Sequence, residues 1–365
     1  MLCLRAVVYL FILVNLGGAA GNFEELSARA TAARQANDVP GAIELYRQAL
    51  QLNSKWDEGW WFLGSLLYDS DQYPDGRDAL NHFVDLQPKA APAWGLLGLC
   101  EFETGEYPQS LSHIQRSLSL SAPSDPQMDV VLRYHEALLL TREGDFDKAL
   151  QKYSRFARDG AQNKSILLGI GLAVLRTPLL PKDIRAEKED LFLTAGKAAS
   201  YRMAGNVTEG DQAFRDLLTR FPTAANVHYA YGLTLLATDP DQGIEEFEAE
   251  LQNNPGNTAA DSMLAWVLLR RSEYQTALPY AEKAAQADPN SAIAQFVFGR
   301  SLVETGAVDR GIQHLETGAK LDPKFLESHL SLATTYARIG RNQDARRERQ
   351  ISMDLTKETT SVAQR

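Results

Sequence analysis

The sequence predicts an all-α protein built as a solenoid of antiparallel helix hairpins. Pairs of small residues, with members about twelve residues apart, recur along the whole chain. The first members of these pairs stand at positions 30, 64, 98, 137, 198, 232, 265, 299 and 333, so most intervals are 34 residues. A period of this length predicts a repeated pair of helices that cross where only Gly, Ala or Ser fits.

The composition is that of a folded chain, and the net charge excludes one class of binding partner. Hydrophobic residues make up 44% of the 365 residues and charged residues 23%, which suffices for a continuous core and excludes wholesale disorder. The formal net charge is -10, and Lys and Arg form no long basic stripe. Because an acidic chain repels phosphate backbones, we expect no nucleic-acid partner.

Residues 1–20 have the features of a secretory signal peptide. Arg5 precedes an apolar run over 6–16, and the small residues that end at Ala20 predict cleavage there. The alternative is an uncleaved membrane anchor, but the run contains Asn15 and is shorter than the roughly 20 residues that a spanning helix needs. We therefore expect an exported protein, periplasmic or extracellular, without stable membrane insertion after cleavage.

Cleavage would leave Cys100 as the one cysteine of the mature chain, because Cys3 lies within the signal. A single cysteine forms no internal disulfide, so packing alone would hold the exported chain together. We interpret Cys100 as a small packing residue, with a reactive thiol as the alternative.

The second repeat, which ends at Pro88, shows how each unit encodes two helices. Apolar and small residues recur at spacings of three and four and so share one face of each helix. They are Trp60, Leu63, Gly64 and Leu67 on the first helix, and Gly76, Leu80 and Phe83 on the second. On this pattern about four units occupy 21–160 and about five occupy 191–354. Regularly spaced prolines close four successive units at Pro222, Pro255, Pro289 and Pro323.

One interval is oversized, with 61 residues between Ala137 and Ala198. Within it an apolar stretch over 165–176 is followed by a proline-bounded loop, and then by a pattern typical of a helix from about Lys182 to Met203. We expect an irregular helical insertion over 161–190.

The last unit differs from the others on its second helix, predicted over 342–353. Arg346, Arg347 and Arg349 stand where earlier units place apolar residues. A terminal helix has no neighbour to cover it, so we interpret these residues as a polar cap, with a basic ligand patch as the alternative. Residues 355–365 are expected to form a flexible tail.

The repeat resembles the tetratricopeptide repeat, whose signature is Trp, Leu, Gly and Tyr on the first helix and Ala, Phe, Ala and Pro on the second. The third unit matches it at Trp94, Leu97, Gly98, Gly105 and Tyr107, and the eighth at Phe298, Gly299, Leu302, Gly306, Leu315 and Pro323. Departures include Ser54 in a proline position and Arg133 in the Trp position. The resemblance implies a right-handed superhelix whose first helices line a concave groove.

Each stretch that resembles a catalytic, cofactor-binding or metal-binding motif lacks at least one of the residues that the motif requires. The six histidines fall in different units, and His135-Glu136 lacks the second His of a zinc-protease helix. Gly169-Ile170-Gly171 is an incomplete dinucleotide fingerprint in a helical context. We expect no enzyme activity, no cofactor and no metal.

The resemblance places the second, fifth, ninth and twelfth residues of each unit in the groove, and here many of them are aromatic. The partner-binding residues predicted on this basis are Trp61, Tyr68, Phe102, Tyr134, Tyr229, Trp266 and Phe296. Chaperone-binding members of the family use Lys and Asn there to clamp a terminal carboxylate, and this chain lacks that set. Aromatic anchors suit an apolar peptide or an amphipathic helix. The alternative is that some of these rings are buried between units.

These observations support three hypotheses of function. The main one is a non-catalytic scaffold that binds protein or peptide partners along the groove, in envelope assembly or secretion. A second is an envelope enzyme with its site at 161–190, which predicts a deep polar pocket there. A third is a structural spacer that binds by its convex face.

Overall fold

The computed structural model describes residues 21–120 and 126–363, and every regular element in those ranges is helical. The predicted signal peptide at 1–20 lies outside the described residues. The chain divides into two compact units after Glu189. In the described part of the chain, none of the helices combines the length and apolar character that a membrane span requires.

The N-terminal unit consists of helix hairpins that pack on one another in sequence. Its helices are α1 (21–35), α2 (Val39–Leu52), α3 (Asp57–Asp69), α4 (Tyr73–Leu86), α5 (Ala91–Thr104), α6 (Tyr107–Leu120), α7 (Pro126–Glu143), α8 (Phe146–Arg158) and α9 (Lys164–Val174). The odd-numbered helices come first in each pair, and α9 stands without a second helix.

The C-terminal unit is a run of five hairpins. Its helices are α10 (Glu189–Met203), α11 (Val207–Arg220), α12 (Val227–Leu235), α13 (Pro240–Asn253), α14 (Thr258–Arg270), α15 (Tyr274–Ala287), α16 (Ala292–Glu304), α17 (Val308–Leu321), α18 (Leu326–Arg338) and α19 (Asn342–Ala363). The predicted all-α array of helix hairpins is confirmed in both units.

The paired small residues lie where the two helices of a hairpin touch. A Cβ placed on Gly299 would lie 2.7 Å from the backbone nitrogen of Leu315 and 2.8 Å from the carbonyl oxygen of Gly311. In another hairpin the hydroxyl of Ser110 donates to the carbonyl of Gly98 over 2.7 Å. Small residues are needed at these positions because backbone meets backbone there.

A hydrogen bond ties the first helix of many hairpins to the segment just before it. The side chain at the signature Trp position donates to the backbone carbonyl six residues earlier. The pairs are Trp60–Ser54, Trp94–Pro88, His228–Pro222, Gln295–Pro289 and His329–Pro323, with lengths of 2.9 to 3.1 Å. Each accepting carbonyl lies in the loop between two hairpins, two residues after the preceding helix ends, so the bond fixes that loop against the next helix.

The segment 161–190 contains one buried helix, a loop and two short turns. The buried residues of α9 are all apolar or glycine, and Gly169 packs against the ring of Tyr153. Where a second helix would follow, residues 175–188 form a loop with 3-10 turns at Pro181–Asp183 and Ala186–Lys188. The long helix after it begins at Glu189 rather than near Lys182, because Pro181 starts a 3-10 turn instead.

The final helix is longer than the sequence predicts. Helix α19 continues to Ala363 instead of ending at Met353, so residues 355–363, assigned to a flexible tail, are helical. Arg346 and Arg349 are exposed on it, whereas Arg347 pairs with Asp344 and with the buried Glu348. The run of arginines thus lies on the outer face of the last hairpin, as a terminal helix requires.

Candidate functional site

The seven predicted partner-binding aromatics all lie on first helices, but the structure divides them into two groups. Solvent reaches part of four of them, Trp61, Tyr68, Tyr134 and Trp266. Three are buried, with exposed fractions of 8% for Phe102, 5% for Tyr229 and 6% for Phe296. The buried three match the alternative interpretation, in which rings fill the space between neighbouring helices.

Trp61 forms one wall of a surface cavity of about 370 Å³ in the N-terminal unit. Its indole lies 5.5 Å from the ring of Phe83, centroid to centroid, at an interplanar angle of 45°. The start of α5 also lines the cavity, through the small side chains of Pro92 and Ala93. Asp57 and Glu58, from the first turn of α3, also line the cavity, together with Gln87 and Ala90. The cavity therefore pairs aromatic walls with carboxylates.

Trp266 stands between two smaller cavities in the C-terminal unit. One, of about 290 Å³, is lined by Trp266, Leu269, Arg270, Phe296, Arg300 and Glu327. The other, of about 240 Å³, is lined by Leu236, Pro240, Trp266, Val267, Arg270 and Arg271. The indole packs 5.3 Å from Phe296 and 6.0 Å from Phe325. Here the aromatic surface is bordered mainly by guanidinium groups.

Tyr68 and Tyr134 are held by their neighbours. The Tyr68 ring meets Tyr73 edge to face at 5.8 Å, and partial burial raises the pKa of its phenol above the usual value, helped by nearby carboxylates. Tyr134 donates its hydroxyl to the carbonyl of Ser165 over 3.3 Å, which links α7 to α9. Burial likewise raises the pKa of the Tyr134 phenol. These two rings therefore link neighbouring helices.

Phe102 is covered from two directions. His135 meets its ring edge to face at 4.7 Å, and the ammonium of Lys182, from the loop after α9, lies 5.6 Å from the ring centroid. Burial lowers the pKa of His135, although its hydrogen bond to the carbonyl of Val131 acts in the opposite direction. The insertion thus packs over a residue that the repeat pattern assigned to the groove.

The sequence pattern missed four residues that line or border these cavities: Phe83, Arg270, Arg300 and Phe325. The sequence pattern places Phe83 on the apolar face of a second helix, whereas the groove positions were taken from first helices only. Arg270 is the thirteenth residue of its unit. It stands four residues after Trp266, so it shares a helix face with that predicted groove position. Arg300 occupies the ninth position of its unit, but the prediction selected only aromatic residues at such positions.

Other chemistry-bearing groups in the described ranges are dispersed or inert. No cluster of three or more His, Cys, Asp or Glu side chains suited to a metal occurs among those residues. Cys100 is buried, and burial raises the pKa of its thiol to about 12. A polar cavity of about 740 Å³ lies between α10 and α11, lined by Lys197, Asp211 and Arg215 among others, and contains none of the predicted aromatics.

Comparison with known proteins agrees with the repeat geometry. Two family models, both described as tetratricopeptide repeat, match residues 63–127, 134–190 and 237–292, and residues 268–327. Among curated proteins, the TPR repeat-containing protein YpiA of Bacillus subtilis is 25% identical over 177 residues, which are 48% of this chain and 40% of YpiA. Anaphase-promoting complex subunit 3 of Schizosaccharomyces pombe is 21% identical over 171 residues, 45% of this chain and 26% of that protein. The matched region therefore spans less than half of either relative.

Two solved structures that are similar to this chain each match less than half of it. A structure of MamA, residue 41 to the end, from Desulfovibrio magneticus RS-1 matches 46% of this chain and 96% of its own, with 21% identity and a TM-score of 0.41. YrrB, described as a TPR protein with an unusual peptide-binding site, matches 43% of this chain and 82% of its own, with 21% identity and a TM-score of 0.37. With the repeat period, the hairpin packing and the family models in agreement, the chain belongs to the tetratricopeptide repeat family.

Proposed function

We propose that this chain is a non-catalytic scaffold that binds peptide or helical segments of partner proteins along the face formed by its first helices. The observation that carries the proposal is the position of Trp61 and Trp266, each of which lines an open cavity of side-chain size. Both indoles are partly buried and so are held in place, yet each keeps a free surface. A partly buried aromatic ring beside an open cavity is what an anchoring side chain needs.

The energetics of such anchors favour a protein partner. Tryptophan buries a large apolar area while losing little rotamer freedom, which is why it dominates binding energy at many protein interfaces. Within the C-terminal unit the two cavities that share Trp266 lie along neighbouring helices, which suits the alternating or helical side chains of a peptide. Binding would therefore concentrate at the two tryptophans, with Tyr68 and Tyr134 as secondary contacts.

The insertion at 161–190 favours the scaffold over an envelope enzyme. An active site there would need polar or titratable side chains turned into a pocket. Instead the buried side chains of α9 include Ile166, Leu168, Ile170, Leu172 and Val174, and Gly169 packs closely against Tyr153. The ammonium of Lys182, in the loop after α9, packs over the ring of Phe102.

Export through the predicted signal at residues 1–20 is part of the proposal, and with it a role in envelope assembly or secretion. The sequence supports it through Arg5, the apolar run and the small residues before the predicted cleavage site. Fractionating cells that produce the full chain, with N-terminal sequencing of the exported product, tests this part. A product that stays inside the cell with residues 1–20 attached would contradict it.

Capture of partners from the periplasmic or extracellular extract of the producing cell tests the scaffold itself. We expect Trp61→Ala and Trp266→Ala to lose partners that the unchanged chain retains. Tyr280→Ala is the matched control, because Tyr280 is a partly buried aromatic on α15, the second helix of the Trp266 hairpin. Loss of partners with Tyr280→Ala alone would favour binding through the second helices, and unchanged capture by both tryptophan variants would contradict groove binding.

A further inference from the structure

We propose that the cavity at Trp61 receives a cationic side chain, lysine or arginine, from the bound partner. This inference rests on the proposed peptide-binding function and specifies the chemistry of one of its two main anchoring points. It follows from the combination of aromatic walls and carboxylates around a single cavity of about 370 Å³.

The aromatic walls suit the stem and the charge of such a side chain. Trp61 and Phe83 stand 5.5 Å apart at 45°, so their rings form an open wedge rather than a closed stack. The aliphatic carbons of lysine or arginine can lie along Pro92 and Ala93, while the charged end rests over an indole face. Tryptophan is the aromatic residue that attracts cations most strongly in this way.

The two carboxylates that line the cavity differ in the hydrogen bonds that they already accept. Asp57 is fixed, because its Oδ2 accepts a hydrogen bond of 2.6 Å from the amide of Gln87 and its Oδ1 accepts one of 2.9 Å from the backbone N–H of Glu58. The side chain of Glu58 is exposed, and within the described residues its carboxylate forms no ion pair or hydrogen bond. It therefore remains available to a ligand.

The cationic side chains nearest in sequence, Lys55 and Lys89, lie in the loops before α3 and α5 and do not line the cavity. The lining thus carries two negative charges and no positive one. An acidic side chain would be repelled by both carboxylates, and a neutral apolar one would bury Glu58 beside it without a partner. A cation satisfies both the rings and the carboxylate.

The Trp266 cavity supplies an internal contrast. It offers a similar indole, but its lining includes Arg270 and Arg300 against the single acid Glu327. Arg270 is exposed, and no other described residue pairs with it. A cationic side chain that binds at Trp61 should therefore avoid Trp266, although both sites present an aromatic surface.

Two short peptides that differ in one charge test the proposal on the full chain. The first is acetyl-Ala-Leu-Lys-Leu-Ala-amide, and the second has norleucine in place of lysine, which keeps the stem and removes the ammonium. The chain is labelled with 5-fluorotryptophan, which gives one fluorine signal for each of its five tryptophans. The signals of Trp61 and Trp266 are assigned with Trp61→Phe and Trp266→Phe.

We expect the lysine peptide to shift the Trp61 signal saturably and to bind there about tenfold more tightly than the norleucine peptide. Glu58→Gln should remove much of that preference, because it weakens binding of the lysine peptide and removes the cost of burying an unpaired carboxylate beside norleucine. Glu103→Gln, which removes an exposed carboxylate of α5 outside the cavity, is the matched control and should change neither affinity.

Equal affinity of the two peptides at Trp61 would overturn the inference while leaving the scaffold proposal in place, because a peptide would still bind there. Absence of any shift at Trp61 with the lysine peptide at millimolar concentration would overturn it as well. The scaffold proposal fails separately, if partner capture is unchanged in both tryptophan-to-alanine variants.

Discussion

Trp94 donates its indole N–H to the backbone carbonyl of Pro88, six residues earlier, with 3.0 Å between Nε1 and the oxygen. The same link recurs in other hairpins with a different donor, an imidazole in His228 and an amide in Gln295. A side-chain hydrogen bond therefore recurs at the position that marks the repeat even where the indole ring is absent. This explains how His and Gln replace Trp in the C-terminal unit without loss of the hairpin geometry.

Replacing Trp94 with Phe should separate these two roles. The ring and its contact with the guanidinium of Arg116, 4.5 Å from the indole centroid, are largely kept, while the donor to Pro88 is lost. We expect the free energy of unfolding to fall by about 1 kcal/mol, the usual value of one such bond. Urea denaturation measures it, and an unchanged free energy would mean that the ring alone determines this position.

His228 predicts a pH-dependent contribution to the stability of the C-terminal unit. Its Nδ1 lies 2.6 Å from the carboxylate of Glu246 and its Nε2 3.1 Å from the carbonyl of Pro222, so both ring nitrogens face acceptors and favour the doubly protonated ring. The hydrogen bond to Glu246 raises the pKa of His228, although burial opposes the shift. A raised pKa in the folded state means stabilisation that is complete below the unfolded value of about 6.5 and is lost as pH rises through the folded value.

The His228→Gln variant measures this contribution, since glutamine keeps a donor for Pro222, as Gln295 does for Pro289. We expect the unchanged chain to exceed the variant in stability by about 1 kcal/mol at acid pH, a modest value because the ion pair is partly exposed. The difference should shrink toward alkaline pH. Thermal unfolding of both chains across this range checks it, and a difference that grows with pH would contradict the assignment.

Two glycines at equivalent positions should respond differently to alanine. A Cβ on Gly311 would lie 2.7 Å from the carbonyl oxygen of Gly299 and 2.8 Å from the backbone nitrogen of Val303, and neither backbone atom can move aside easily. On Gly243 the closest atom is the carbonyl oxygen of Gly232 at 3.3 Å. We expect Gly311→Ala to lower the free energy of unfolding by about 2–3 kcal/mol. Gly243→Ala should be near neutral, because better helix propensity, worth up to about 1 kcal/mol, offsets the tighter contact. Equal effects in denaturant titrations would show that the two crossings are equally close.

Cys100 should be unreactive until the chain unfolds. Its side chain is fully buried, and burial raises the pKa of the thiol to about 12, so little thiolate exists near neutral pH. In a Cys3→Ser background, Ellman's reagent at pH 8 should label Cys100 only after denaturant is added. Rapid stoichiometric labelling of the folded chain would instead favour the reactive thiol that the sequence left as an alternative.

The repeat period was sufficient to predict the hairpins and where their helices cross, because backbone contact at Gly299 or Gly98 demands a small residue and leaves a periodic trace. It was not sufficient to separate open aromatics from buried ones. Trp61 stays open because α5 presents Pro92 and Ala93 beside it, whereas Phe296 is closed by the rings of Trp266 and Phe325, each 5.3 Å away. These neighbours lie in other repeats, so the pattern along a single helix contains no information about them.

The helix boundaries that were missed have local causes. Pro181 begins a 3-10 turn where a helix was expected, so α10 starts only at Glu189. At the other end, the polar residues after Met353 lack any proline or glycine, and α19 continues along them to Ala363. A change from apolar to polar composition marks loss of burial and does not by itself end a helix.

The affinity of one peptide for four forms of the chain tests the central claim most directly. A peptide selected from a displayed library on the full chain is titrated calorimetrically into that chain, Trp61→Ala, Trp266→Ala and Tyr280→Ala, after each variant is shown to unfold cooperatively. We predict that at least one tryptophan variant binds about tenfold or more weakly, as expected for an interface anchor, and that Tyr280→Ala binds as the unchanged chain does. Equal affinity in both tryptophan variants and the unchanged chain would contradict recognition through the first helices.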